Sequence, residues 1–225
     1  MRLRILAAAT VLLAMLGAGV AQAQTPAPSP PSPPRLALPS PTGGNPVGTK
    51  TFHFTDRSRP DPWVPAQRRE LMVTLWYPAQ FPGRQATPYL SARESEVMVA
   101  QLENPALPKN LMADVGTHST VDAWPQFRRM PLVVLSPGFT LPRATLSSLA
   151  EELASRGYAV AAIGHNYEAA AITFPDGHTT ECVACSAQDW PKLVKNRAAD
   201  VSFVLDQLVG RCGVAGGCST RRGSG

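Results

Sequence analysis

The chain has 225 residues, enough for one domain of ordinary size with extensions. Its 44% hydrophobic and 16% charged content excludes a disordered tail or a highly charged scaffold. The net charge of +5 sits at the two ends, in Arg2 and Arg4 and in Arg211, Arg221 and Arg222. Residues 24–210 balance sixteen basic against sixteen acidic side chains, so no nucleic-acid-binding face is expected.

Residues 1–23 have the build of a secretory signal peptide. Arg2 and Arg4 give a positive start, Ile5 to Val20 is an apolar run, and Ala21-Gln22-Ala23 supplies small residues before a cut at Gln24. The run is too short for a comfortable membrane anchor, and no later segment has spanning length. The mature protein is expected to be secreted, with no integral membrane segment. Residues 24–46 hold nine prolines among 23 residues and read as an extended linker without a core of its own.

From Val47 the pattern becomes that of a folded domain. Thr51 to Phe54 alternates like a half-buried strand, and Arg69 to Tyr77 is a longer β-rich run closed by Pro78. Ser91-Ala-Arg-Glu94 is a capping-box signature for a helix running to about Glu103. Pro131 to Ser136 is continuously apolar, the mark of a strand covered on both faces. Leu146, Leu149, Ala150 and Leu153 then fall at helical spacing up to Gly157, and Tyr158 to Ile163 gives a second buried strand. Strand, helix and strand make a right-handed βαβ unit. A hairpin turns at Pro175-Asp-Gly177, and a last helix, capped by Ser186, carries its stripe on Leu193, Val201, Val204, Leu205 and Leu208. The alternation predicts an α/β fold with a mostly parallel sheet.

In such sheets the working groups gather at the carboxyl ends of strands, which singles out the loop Ser136-Pro137-Gly138-Phe139. Gly138 lets the backbone turn and frees the next amide to face a cleft, as an oxyanion donor must. A plain strand-ending turn is the alternative reading of the same residues.

Leu132–Thr140 (LVVLSPGFT), Leu146–Ala169 (LSSLAEELASRGYAVAAIGHNYEA) and Phe174–Gly177 (FPDG) follow Arg57–Trp63 (RSRPDPW) and Arg68–Pro78 (RRELMVTLWYP). In this order they resemble the platelet-activating-factor acetylhydrolase-like family, secreted lipase-like members of the α/β-hydrolase superfamily. The resemblance covers about Pro46 to Leu208. It implies an α/β-hydrolase-like, mostly parallel sheet and a Ser-Asp-His triad that hydrolyses carboxylic esters, including short acyl chains on phospholipids, in lipid degradation. It implies that the Phe139 amide is one oxyanion donor, the second following the nucleophile on a Gly-x-Ser-x-Gly turn. His165 matches a family histidine and is a candidate lining of the cleft; Gly164 stands where the family usually has an acid. The alternative for His165 is a partly buried loop histidine.

The family pattern continues past Leu208 with a strand and the nucleophile elbow, where this chain reads GRCGVAGGCSTRRGSG over residues 210–225. Gly217-Cys218-Ser219-Thr220-Arg221 is half an elbow, with Arg where Gly is required. Residues 47–209 are therefore expected to be the N-terminal portion of a hydrolase domain, truncated before the elbow, with no catalytic triad member present and no turnover. A flexible terminus and a shifted reading frame both fit the tail. Ser136 is not expected to substitute, because no base is patterned to reach it. Leu132 to Leu135 is expected to be left as an apolar edge. A cutinase- or polyesterase-like hydrolase and an exported, non-catalytic binding module are the competing readings.

Cys182-Val-Ala-Cys185 fits either a redox motif or a disulfide, and export favours the disulfide. The histidines at 53, 118, 165 and 178 show no ligand-type pairing, and the cysteines are poorly spaced for zinc. No metal and no cofactor are expected.

Overall fold

The computed structural model describes residues 35–209. The signal peptide expected over 1–23, the linker up to residue 34 and the tail expected over 210–225 lie outside the described residues.

β1 (Val47–Pro60) and β2 (Arg68–Pro78) form an antiparallel pair, in register from Val47↔Pro78 to Asp56↔Arg69, with an irregularity before Pro60. Proline ends both strands, where no further ladder donor is needed. α1 (Ala92–Ala100) opens on the expected capping box: Ser91 Oγ accepts from the Glu94 amide at 3.1 Å, and Glu94 Oε2 accepts from the Ser91 amide at 2.9 Å. The helix stops short of Glu103, which takes a left-handed φ of 52° ahead of Asn104-Pro105. β3 (Ser119–Val121) pairs in parallel with β1; three residues are too few to show a period.

β4 (Leu132–Leu135), a 3-10 turn at Arg143–Leu146, α2 (Ser147–Ser155) and β5 (Ala159–His165) make the βαβ unit, with β4 and β5 parallel from Leu132↔Ala159 to Leu135↔Ala162. The buried side of α2 differs from the stripe read in the sequence. Leu149 is exposed, and Ser147, Ala150, Glu151, Ala154 and Ser155 face inward. Small side chains let the helix lie close to the sheet. Glu151 is buried because its Oε1 accepts from the His118 and Ser119 amides, both at 3.0 Å, and from the Ser119 hydroxyl at 2.7 Å. Gly157, with φ of 109°, takes the left-handed position after the helix.

β6 (Ala171–Thr173) and β7 (Thr179–Glu181) form the hairpin, whose turn uses Gly177 at a φ of 89°. α3 (Ala184–Ala187) and α4 (Trp190–Val209) follow. Ser186 lies inside α3 and does not cap the long helix. That role falls to Asp189, whose Oδ1 accepts from the Lys192 amide at 3.1 Å, with Pro191 in the first turn where its missing N–H costs nothing.

The main sheet has the order β3-β1-β2-β5-β4, and the pairings set β2 alone against the direction of the other strands. On one face Val204 and Leu208 of α4 pack against Leu71, Val73, Leu75, Ala161 and Ile163. On the other, Ala150 and Ala154 of α2 pack against Trp76, Val160 and Ala162. The result is a helix–sheet–helix sandwich of the α/β class. Among the described residues β4 pairs only with β5, and Leu132 to Leu135 are all half-buried. No helix among the described residues is long and apolar enough to cross a membrane.

The described end of the proline-rich segment is docked, which corrects its reading as a free spacer. The Leu38 amide donates to Gly116 O at 2.9 Å, Thr42 donates from both its amide and its hydroxyl to Glu152 at 2.7 Å, and the Asn45 amide reaches Ser155 O at 3.0 Å. Leu36 stays exposed, and the segment is held by backbone amides together with the Thr42 hydroxyl and the Asn45 side chain.

Candidate active site

β4 ends where the chain must leave the sheet, and it delivers Ser136 to the carboxyl edge beside the end of β5. Ser136 is exposed, and its Oγ lies 2.9 Å from Nε2 of His165, the last residue of β5. His165 is buried, and its Nδ1 lies 2.7 Å from Asp200 Oδ2 on α4. An ionised Asp200 can only accept, so Nδ1 carries a proton; in a neutral imidazole Nε2 is then the acceptor that faces the Ser136 hydroxyl. No base was expected to reach Ser136; parallel pairing of β4 with β5 supplies one, by bringing together two strand ends 29 residues apart in the chain.

Asp200 is the centre of a buried charge cluster. Arg69, with no exposed side-chain surface, donates Nη2 to Asp200 Oδ2 at 2.6 Å, Nε to Asp200 Oδ1 at 3.1 Å and Nη1 to Asp61 Oδ2 at 2.8 Å. Arg59 also pairs with Asp200, and holds Asp56 at 2.6 Å. Glu168 accepts from Trp63 Nε1 at 2.9 Å, Asn196 Nδ2 at 2.8 Å and Arg197 Nε at 2.8 Å. Burial alone would raise the Asp200 carboxyl, but the hydrogen bond from His165 and the guanidinium of Arg69 outweigh it and hold the group well below the usual carboxylate range. Burial would lower Arg69; its bonds to Asp200 and Asp61 more than compensate, and its pKa lies above the ordinary guanidinium value.

The loop after Ser136 is clamped from the same cluster. Arg197 Nη1 donates to Pro137 O at 2.7 Å, and the Phe139 ring meets Trp190 edge-on at 5.1 Å between centroids. Thr140, at a φ of 72°, donates its amide to Glu168 O at 3.0 Å and accepts from the Ala170 amide at 2.7 Å. Between these fixed points the Phe139 amide pairs with no acceptor among the described residues. The structure thus brings Ser136, Pro137, Gly138, Phe139 and His165 to one edge of the sheet. Cys182 and Cys185 lie elsewhere, after β7, joined as a disulfide. Among the described residues no group of three or more His, Cys, Asp or Glu is arranged to hold a metal ion.

Sequence reasoning missed Asp200, Arg69, Asp61, Glu168 and Arg197. Asp200 falls on the buried stripe of α4 with Leu193, Asn196, Val204 and Leu208, a polar position inside an apolar period. RSRPDPW carried a further signal: Arg59, Asp61 and Trp63 all point into this cluster.

A mostly parallel sheet between helices, with a backbone-amide loop at the carboxyl edge, is an architecture of the α/β-hydrolase type. The family model of platelet-activating factor acetylhydrolase, isoform II, matches residues 37–211, and the chain belongs to that family. Nine chains of known structure match. One is a ferulic acid esterase from Streptomyces cinnamoneus, with 46% identity and a TM-score of 0.68, the match covering 78% of this chain and 50% of that one. The chain therefore spans about half the length of this solved esterase. No curated protein matches.

Proposed function

We propose that residues 35–209 are the oxyanion-bearing part of a carboxyl-ester hydrolase that acts by acyl transfer through a serine ester, with the Phe139 amide as one donor to the developing oxyanion. The observation that carries this is the Phe139 amide, without an acceptor among the described residues, in a loop held on one side by His165 and on the other by Arg197. A donor that needs no reorganisation when charge develops is what acyl transfer requires. The family and the esterase neighbour support the ester linkage as the target. The substrates fitting this reading are short acyl esters on phospholipids and esters of ferulic acid, met after export directed by residues 1–23.

Ser136 anchors the loop in this reading and does not attack. Its next residue is Pro137, which has no N–H, so the oxyanion donor that follows the serine on a nucleophile elbow is missing. Asp200, moreover, is shared with two guanidinium groups. No Gly-x-Ser-x-Gly occurs among the 225 residues, and the chain by itself is expected to show no turnover. The 2.9 Å and 2.7 Å contacts along Ser136, His165 and Asp200 favour one second reading, in which Ser136 is itself the nucleophile.

A chimera tests the oxyanion assignment. The matching half of the Streptomyces esterase is replaced by residues 37–209 of this chain and assayed on methyl ferulate. The chimera should hydrolyse the ester, Phe139→Pro should cost about 10²–10³ in kcat, and Phe139→Ala much less because the amide stays. A folded Phe139→Pro chimera with undiminished kcat would overturn the reading.

A further inference from the structure

Past the ends of β2 and β3 lie two short loops, residues 79–85 and 122–130, laced together by hydrogen bonds. The Gln80 amide donates to Trp124 O at 2.8 Å, the Gln80 side chain to Pro125 O at 3.1 Å, and the Gln126 amide to Pro78 O at 2.9 Å. They stand at the opposite end of the sheet from Ser136. β2 runs against β5, with Trp76 beside Val160 at the start of β5, so the residues after Pro78 lie beyond the amino ends of β4 and β5. The Arg128 guanidinium lies over Gly157, just before β5, which fixes the second loop to the same end.

These loops hold the three most exposed large apolar side chains among the described residues: Phe127 at 86%, Trp124 at 74% and Phe81 at 72%. Phe81 and Trp124 flank one open groove, which Arg84 and Asp122 also line. Each of these two rings precedes a proline, Pro82 or Pro125, which restricts the backbone that carries it. Charge is uneven there too. The loops carry Arg84, Arg128 and Arg129 against the single acid Asp122. All three arginines are exposed and none makes an ion pair among the described residues, while Asp122 lies 3.9 Å from Lys50 Nζ.

Large apolar side chains gathered in the open mark a contact surface, and the composition says with what. Arginines without carboxylate partners call for an anionic partner. A second copy of this chain would bring like charges together. A folded acidic protein would have to offer a matched hollow for each protruding ring, whereas a lipid layer receives rings anywhere on its surface. Aromatic rings mixed with arginine suit that boundary, rings at the acyl border and guanidinium groups among the headgroups. We infer that this end of the domain docks on a lipid surface with anionic headgroups. Phe81, Trp124 and Phe127 enter the acyl border, and Arg84 and Arg129 pair with headgroup phosphates. Such docking is peripheral and leaves the loop Ser136 to Phe139 turned away from the lipid. It stands independently of the ester-hydrolase reading.

Co-sedimentation of the full chain with vesicles tests this, using phosphatidylcholine alone and phosphatidylcholine with about 30% phosphatidylglycerol. The anionic vesicles should bind at least about tenfold more tightly, and added salt should narrow the difference. Arg84→Gln and Arg129→Gln should each weaken anionic binding about fivefold, and Trp124→Ser with Phe127→Ser should weaken it about tenfold or more. Bromine-labelled acyl chains should quench Trp124 in a Trp190→Phe chain and leave Trp190 unquenched in a Trp124→Phe chain. All these side chains are exposed, so the variants keep the fold. Equal binding to the two vesicles, or binding unchanged by the substitutions, would overturn the assignment. So would binding that leaves Trp124 unquenched, as anchoring through the apolar run 5–20 alone would give, or no vesicle binding, the outcome an acidic protein partner predicts.

Discussion

Ser136 Oγ and His165 Nε2 stand 2.9 Å apart across the carboxyl ends of β4 and β5, tying an exposed loop to a buried imidazole. The other imidazole nitrogen is fixed to Asp200 at 2.7 Å, so the loop is referenced through His165 to α4. His165→Ala should remove this tie and leave Asp200 short of one donor. The expected cost is about 2–3 kcal/mol in urea unfolding, with faster hydrogen exchange at the Gly138 and Phe139 amides. Unchanged exchange in that loop would show that His165 does not hold it.

Arg69 is the deeper anchor, since it joins β2 to Asp61, Glu168 and Asp200 with no exposed side-chain surface at any of the four. Arg69→Met leaves buried carboxylates uncompensated and should destabilise by about 3–5 kcal/mol. Arg69→Lys keeps the charge but cannot reach several oxygens with one ammonium, so most of that loss should remain. A Lys variant with the wild-type urea midpoint would mean that charge alone, and not the fork, matters here.

The pH dependence follows from Asp200, whose carboxyl is depressed in the folded protein by His165 and Arg69. A depressed folded pKa contributes stability above the unfolded carboxylate value of about 3.9, and that stability is lost as the pH falls below it towards the folded value. Urea midpoints should therefore drop steeply from about pH 5 to pH 2 in the wild-type chain. Asp200→Asn should be less stable at neutral pH and show a flatter profile over that range. Parallel acid profiles for the two proteins would rule out Asp200 as a main source of acid lability.

Much of this architecture was legible because the periods are local. The capping box at Ser91 and Glu94, the apolar run 132–135 and the turn at Gly177 each declare themselves within a few residues. The loop Ser136 to Phe139 was legible too, as the carboxyl end of an apolar strand, although that strand is half-buried and not covered on both faces. The base beside Ser136 was not: the βαβ unit was read, but the approach of the two side chains at its strand ends and the orienting Asp200 from α4 are tertiary contacts with no local period. Asp200 was hidden by a similar cause: hydrophobic periodicity assigns the stripe of α4 to Leu193, Val201, Val204, Leu205 and Leu208, of which Val201 and Leu205 are only half-buried, and is silent on the buried acid among them. On α2 the apolar pattern misled, since the close approach to the sheet selects Ala150 and Ala154 and leaves Leu149 exposed.

Whether the hydroxyl beside His165 holds the loop or attacks esters is decided by one measurement on the full chain. The protein is incubated with p-nitrophenyl acetate, with and without a fluorophosphonate, and digested to find any phosphonylated serine by mass spectrometry. A loop anchor followed by Pro137 predicts hydrolysis no faster than buffer and no label on Ser136. Fluorophosphonate-sensitive turnover with the label on Ser136, lost in His165→Ala, would contradict it.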